Sequence, residues 1–181
     1  MYTYSTNLIP YVPTLTFHQL KNSESLITCY RNPSIETLAV LKEVYGVNTL
    51  LTTIMHIDQL YYTKTKCQEW GIEYMNILFT DTPKPVLRER DFNKTSLAKQ
   101  IVELYEKLKN EKCTLLIQSA GGSFKTGIIT YCLLRLSGEQ RDDALKILLI
   151  LRNETKNGFG DLRIEFAEKQ IIPLIIGKEL I

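Results

Sequence analysis

Residues Ile117 to Gly127 read "IQSAGGSFKTG", a run of small residues between the apolar stretches "CTLLI" and "IITYCLLRL". A short loop that leaves a strand and enters a helix can aim successive backbone N–H groups at one point. The positive end of the helix dipole faces the same place. Lys125 adds a full positive charge at the expected helix start. The chemistry this arrangement suits is the holding of an anion by Ala120, Gly121, Gly122, Ser123, Phe124, Lys125 and Thr126.

Several familiar loops do not fit. A nucleotide-binding P-loop needs Lys and then Ser or Thr directly after its second glycine, whereas Gly127 is followed by Ile128 and Ile129. A nucleophile elbow needs Gly-x-Ser-x-Gly, but Ser119 sits in "IQSAG" and Ser123 in "GGSFK". No histidine follows the loop, so a Ser–His–Asp triad would have to draw on His18 or His56, both upstream.

The elements that must position this loop can be read from periodicity. "SLITCY" (25–30) is a strand. "NPSIETLAVLKEVYG" is an amphipathic helix with a Pro–Ser start and a Gly stop, its apolar face formed by Ile35, Leu38, Leu41 and Tyr45. "VNTLLTTI" is a second strand, residues 58–70 a helix, and 72–79 a third strand. Two prolines make "TDTPKPVLRERDF" a loop. A helix over 94–109 carries Leu97, Ile101, Leu104, Tyr105 and Leu108 on one face. "CTLLI" is apolar on both faces, as a central parallel strand should be. The helix over 126–136 is apolar nearly all round and should be buried. "RDDALKILLILRN" and "GDLRIEFAEKQIIP" supply two more helices. Strands alternating with helices predict an α/β fold with a central, mostly parallel sheet flanked by helices.

Composition narrows the function. The chain has 181 residues, enough for one domain over 1–181 with a sizeable core, and 44% of them are hydrophobic. A formal charge of +2 with no like-charge block gives no footprint for nucleic acid or a membrane surface. The cysteines, Cys29, Cys67, Cys113 and Cys132, are widely separated. With only His18 and His56 to help, they predict no metal site, and no cofactor motif is present. Cys29, Cys113 and Cys132 lie in apolar runs and read as core residues. The N-terminus lacks the pattern of a secretory signal, and no apolar run is long enough to span a bilayer. The expected setting is the reducing interior of the cell, cytoplasm or nucleus.

The loop also has the spacing of a known one. It resembles the active-site loop of the cysteine-dependent protein tyrosine phosphatases, His-Cys-x-x-x-x-x-Arg-(Ser/Thr). Gln118 falls at the His position, Ser119 at the Cys, Gly122 at the central glycine, Lys125 at the Arg and Thr126 at the Ser/Thr. "LITCYRNPSIETLAVLKEVYGVNTLLT" is similar to the opening of small dual-specificity phosphatases, most of all the phosphatase-of-regenerating-liver group. "GIEYMNILFTDTPKP" resembles the strand and loop that carry the family's general acid, with Asp81 at that position, and "LILRNETKNGFGDLRIEFAEKQ" resembles that group's last two helices. The similarity runs over about residues 13–173 and implies the tyrosine/dual-specificity phosphatase fold.

The departures fall on the chemistry. The family nucleophile is a thiolate; Ser119 carries a hydroxyl whose pKa lies far above the thiol value of about 8.5. The family arginine grips two phosphate oxygens at once; Lys125 is a point charge without that fork. Gln118 removes the histidine that orders the loop. The resemblance therefore implies a phosphatase fold without the reaction, holding a phosphorylated protein, another protein partner, or free phosphate or sulfate. Two alternatives stay open: an active phosphatase whose cysteine has been replaced by Ser119, and a scaffold with a vestigial loop. A substrate-trapping replacement would normally keep the arginine, so Lys125 favours natural loss. Asp81 is either the acid position or a turn residue before Pro83. Lys84, Arg88, Arg90 and Lys94 read as a solvated face offset by Glu89 and Asp91.

Overall fold

The computed structural model describes residues 13–53, 57–77, 94–119, 123–151 and 161–177. Its strands are β1 (His18–Gln19), β2 (Leu26–Arg31), β3 (Thr49–Thr52), β4 (Glu73–Asn76) and β5 (Thr114–Ser119). Its helices are α1 (Ile35–Tyr45), α2 (Ile57–Glu69), α3 (Lys94–Asn110), α4 (Ser123–Leu136), α5 (Arg141–Leu151), α6 (Asp161–Phe166) and α7 (Ile172–Ile176), with a π-helical turn (Ala167–Ile171) joining the last two.

The strands form one five-stranded sheet in the order β1-β2-β5-β3-β4. All neighbours are parallel except the short edge strand β1, which runs antiparallel to β2. As its two-sided apolar character predicts, β5 is central, with Leu115, Leu116 and Ile117 fully buried.

Side-chain alternation sorts the core into two layers. Leu50 and Leu116 pack with Leu38 and Leu41 of α1 and Cys67 of α2. Ile27, Cys29, Leu51, Leu115 and Ile117 pack on the other face against α3, α4, α5 and the C-terminal helices. The chain thus runs outward, β2–α1–β3–α2–β4, with its helices on one face. It returns through α3 to β5 with helices on the other, as right-handed crossovers require.

Local chemistry explains the well-marked ends. Ser34 Oγ accepts the Thr37 N–H at 3.1 Å and caps α1. Gly46, at φ 68°, ends α1 in the left-handed region while its N–H reaches Lys42 O at 2.9 Å. The segment expected as one helix ending at Pro173 instead continues to Ile176 through the π turn. Pro173 has no N–H to donate. The backbone widens just before it, so that the Ile172 N–H reaches back to Ala167 O and the helix carries on past the proline. Lys94 Nζ donates to Gln170 Oε1 at 2.5 Å, so it anchors this turn rather than facing solvent alone.

All four cysteines are free and buried, Cys67 included. His18 has an unusual setting. It is half-buried, its Nε2 has no hydrogen-bond partner among the described residues, and Glu139 Oε1 lies 3.8 Å away. His56 lies outside the described residues. Among the described residues no helix is long and apolar enough to cross a membrane, and no cluster of three or more metal-ligating side chains occurs.

Candidate functional site

In an open α/β sheet, ligands bind beyond the carboxyl ends of the strands, where neighbouring strands send their chains to opposite faces. Here β2 leads to α1 on one face and its neighbour β5 leads to α4 on the other, and β3 on the far side of β5 leads to α2. The crevice this topology makes therefore lies at the end of β5, where the sequence places its anion loop.

Ser119 is the last residue of β5 and Ser123 the first of α4. Only residues 120–122 join them, so the first turn of α4 sits at the end of the central strand. Ala120, Gly121, Gly122 and Asp81 lie outside the described residues, as do the side chains of Ser119, Ser123 and Phe124. Gln118 is buried, shares the face of Leu116, and its carbonyl accepts the Thr53 N–H at 3.2 Å.

Lys125 is half-exposed in the first turn of α4, and that turn holds no acidic residue. A lysine here adds its charge to the positive end of the helix dipole. Both would favour an anion placed at that point.

Thr126 is buried, and its carbonyl accepts the Thr130 hydroxyl at 2.8 Å. Thr130 Oγ1 also lies 3.1 Å from Cys29 Sγ. The only hydroxyl hydrogen of Thr130 is committed to Thr126, so the thiol of Cys29 is the donor in that second bond. This relay pins the first two turns of α4 to β2.

Neither Cys67 nor Cys132 is prepared to act as a nucleophile in place of Ser119. Burial pushes the Cys67 thiol up to about 11 and raises that of Cys132 as well, the opposite of the activation a catalytic cysteine needs.

Two residues not anticipated from the sequence stand beside Ser119. Arg31, the last residue of β2, is registered directly opposite it, and Thr53 follows β3 on its other side. Both placements arise from strand register, which joins segments far apart in the chain and leaves no local signal.

No sequence family matches the chain, and no curated protein matches it. Solved structures do. A Leishmania major chain named as a protein tyrosine phosphatase is similar over 87% of this chain and 98% of its own, at 14% identity and a TM-score of 0.62. The core catalytic domain of the Saccharomyces cerevisiae PP-IP phosphatase SIW14, solved with citrate, matches 88% of each chain at 15% identity and a TM-score of 0.59. A kinase-associated phosphatase in which serine replaces the catalytic-site cysteine matches 87% of this chain and 94% of its own, at 16% identity and a TM-score of 0.59. The fold is that of the protein tyrosine and dual-specificity phosphatases.

Proposed function

We propose that this chain is a pseudophosphatase, which keeps the phosphatase fold, lacks the phosphatase reaction, and binds a phosphorylated protein at the carboxyl edge of its sheet. Within the fold, its sequence is most similar to the phosphatase-of-regenerating-liver group, and its place of work is the cytoplasm or nucleus. The observation that carries anion binding is Lys125 in the first turn of α4 with no carboxylate in that turn. The helix dipole and the lysine charge then act on one point, and a phosphate group is the complement they call for.

The loss of turnover follows from side-chain chemistry. Phosphoryl transfer to the protein requires a nucleophile that is anionic near pH 7, and Ser119 offers a hydroxyl instead. Without a phosphoenzyme there is no second step for an acid or base at Asp81 to assist. Lys125 lacks the guanidinium fork that would hold the equatorial oxygens of the transition state.

The test joins two measurements on the parent protein. Hydrolysis of an aryl phosphate should stay at background. Calorimetry with phosphate, tungstate and a phosphotyrosine peptide should register binding. Robust turnover that Ser119→Ala abolishes would overturn the reading, as would the absence of binding by all three ligands.

A second reading draws on the kinase-associated phosphatase with serine at its catalytic cysteine, which has this fold. Ser119 would then stand in for a cysteine in a working phosphatase. The codon at position 119 of the gene decides between the two.

A further inference from the structure

A phosphate dianion is best gripped by a planar fork of N–H donors, and Lys125 cannot supply one. The neighbouring strands can. Arg31 of β2 is registered opposite Ser119 of β5. Thr53 directly follows Thr52, which is registered opposite Gln118, so Thr53 is level with Ser119 on the other side.

Side chains alternate along each strand, and the core layers fix which face each position takes. Arg31 has the parity of Ile27 and Cys29, and Thr53 that of Leu51. All of these apolar residues pack on the α4 face. Arg31 and Thr53 therefore flank the end of β5, at the carboxyl edge of the sheet and on the side where α4 begins.

The two flanking residues differ in their surroundings. Arg31 is exposed and makes no ion pair among the described residues. Thr53 is 2% exposed, yet its Oγ1 has no hydrogen-bond partner among the described residues. A buried hydroxyl without a partner is unfavourable, and one at this position can be satisfied by an oxygen-rich group in the crevice. Strands are spaced by about 4.8 Å, a gap that an arginine side chain spans with length to spare.

We infer that Arg31 and Thr53 complete the anion site at the start of α4, Arg31 supplying the guanidinium fork and Thr53 a buried hydroxyl donor, and that the ligand is a phosphomonoester dianion. The inference rests on the proposed reading of this edge as an anion site. The recognition fork thus comes from the adjacent strand rather than from the loop. Lys125 then contributes charge, while Arg31 contributes direction.

Calorimetry with inorganic phosphate and with free phosphotyrosine tests this on the parent and on Arg31→Gln, Arg31→Lys, Thr53→Val and Lys125→Gln. Thermal melts check that each variant is folded. Arg31→Gln should weaken binding by at least about tenfold, Thr53→Val by about fivefold, and Arg31→Lys should recover only part of the loss, because the charge returns without the fork. If Arg31→Gln and Thr53→Val bind as the parent does while Lys125→Gln does not, the inference is overturned and the anion site stands on α4 alone. If the parent binds neither ligand, the proposed function falls and takes the inference with it.

Discussion

At the scale of single residues, the site turns on what oxygen and nitrogen do where sulfur and a guanidinium would serve the reaction. A thiol with a pKa of about 8.5 needs only a modest shift to be anionic at neutral pH, and a helix start supplies such a shift. A serine hydroxyl begins too high for the same environment to matter. Ser119→Cys should therefore restore a nucleophile without restoring full chemistry, because Lys125 still meets the transition state as a point charge. Adding Lys125→Arg should raise kcat for an aryl phosphate further, on the order of 10² over Ser119→Cys alone, the size typical of one transition-state donor. Equal rates for the single and double variants would show that the lysine already does the arginine's work. Thr130 makes a different kind of contribution. It donates to Thr126 O and accepts from Cys29 at the base of α4. Thr130→Val keeps the volume and removes both bonds of the Thr130 hydroxyl. It should cost about 1 kcal/mol, read as a lower denaturant midpoint at unchanged slope.

At the scale of elements, α1 shows how much a helix owes to its ends. It is 11 residues long, with Leu38 and Leu41 its buried contacts. Ser34 satisfies an N–H at its start, and Gly46 lets the chain turn off at its end. An added Cβ at Gly46 would meet nothing within 4 Å, so the cost of Gly46→Ala is the left-handed backbone alone, about 1 kcal/mol. Ser34→Ala should cost about the same through the lost cap. The two act at opposite ends and should add in a chemical denaturation series; clear non-additivity would mean that the helix frays as one unit. Such punctuation is what made α1, α3 and β5 legible in the sequence. Pro33 with Ser34 and the later Gly46 bracket one helix, five apolar positions mark the buried face of the second, and "CTLLI" can only be a strand covered on both sides. β1 left no trace because two residues carry no period, and the strand exists only through its pairing with Leu26 and Ile27. The π turn was hidden by Pro173, a residue that ordinarily stops a helix. At the candidate site, the loop spacing is a local signal. The placement of Arg31 and Thr53 was not legible, because only the sheet's register brings them level with Ser119.

At the scale of the whole molecule, β5 and α4 run between the edge of the sheet that holds the candidate site and another edge with a different character. The carboxyl end of β5 faces the candidate anion site. Near the start of β2, β1 brings His18 and Lys21 to Glu139, just beyond the C-terminus of α4. Lys21 Nζ is 2.8 Å from one carboxylate oxygen of Glu139, and His18 Nε2 is 3.8 Å from the other. Two further contacts tie this end of α4 into the molecule: Arg135 donates to Glu139 O at 2.7 Å and to Glu168 Oε1 of the π turn at 3.0 Å. Burial holds the His18 imidazole below its ordinary value of 6.5; Glu139 pulls it upward and Lys21 pushes it down. The folded state thus binds a proton at His18 less readily than the unfolded chain does. This group's contribution to stability is complete above pH 6.5 and is lost as pH falls from 6.5 through the lowered folded value. The melting temperature should therefore fall between pH 7.5 and pH 5.5, before most carboxylates titrate, and His18→Gln should flatten that fall. Because His18 sits at the far end of β2 from Arg31, phosphate affinity at pH 7.5 should be the same in His18→Gln and the parent. A melting curve whose pH slope survives the substitution would place the sensitivity in another group. A loss of phosphate binding in this variant would mean that the two edges are coupled through the elements that join them, β2, β5 and α4.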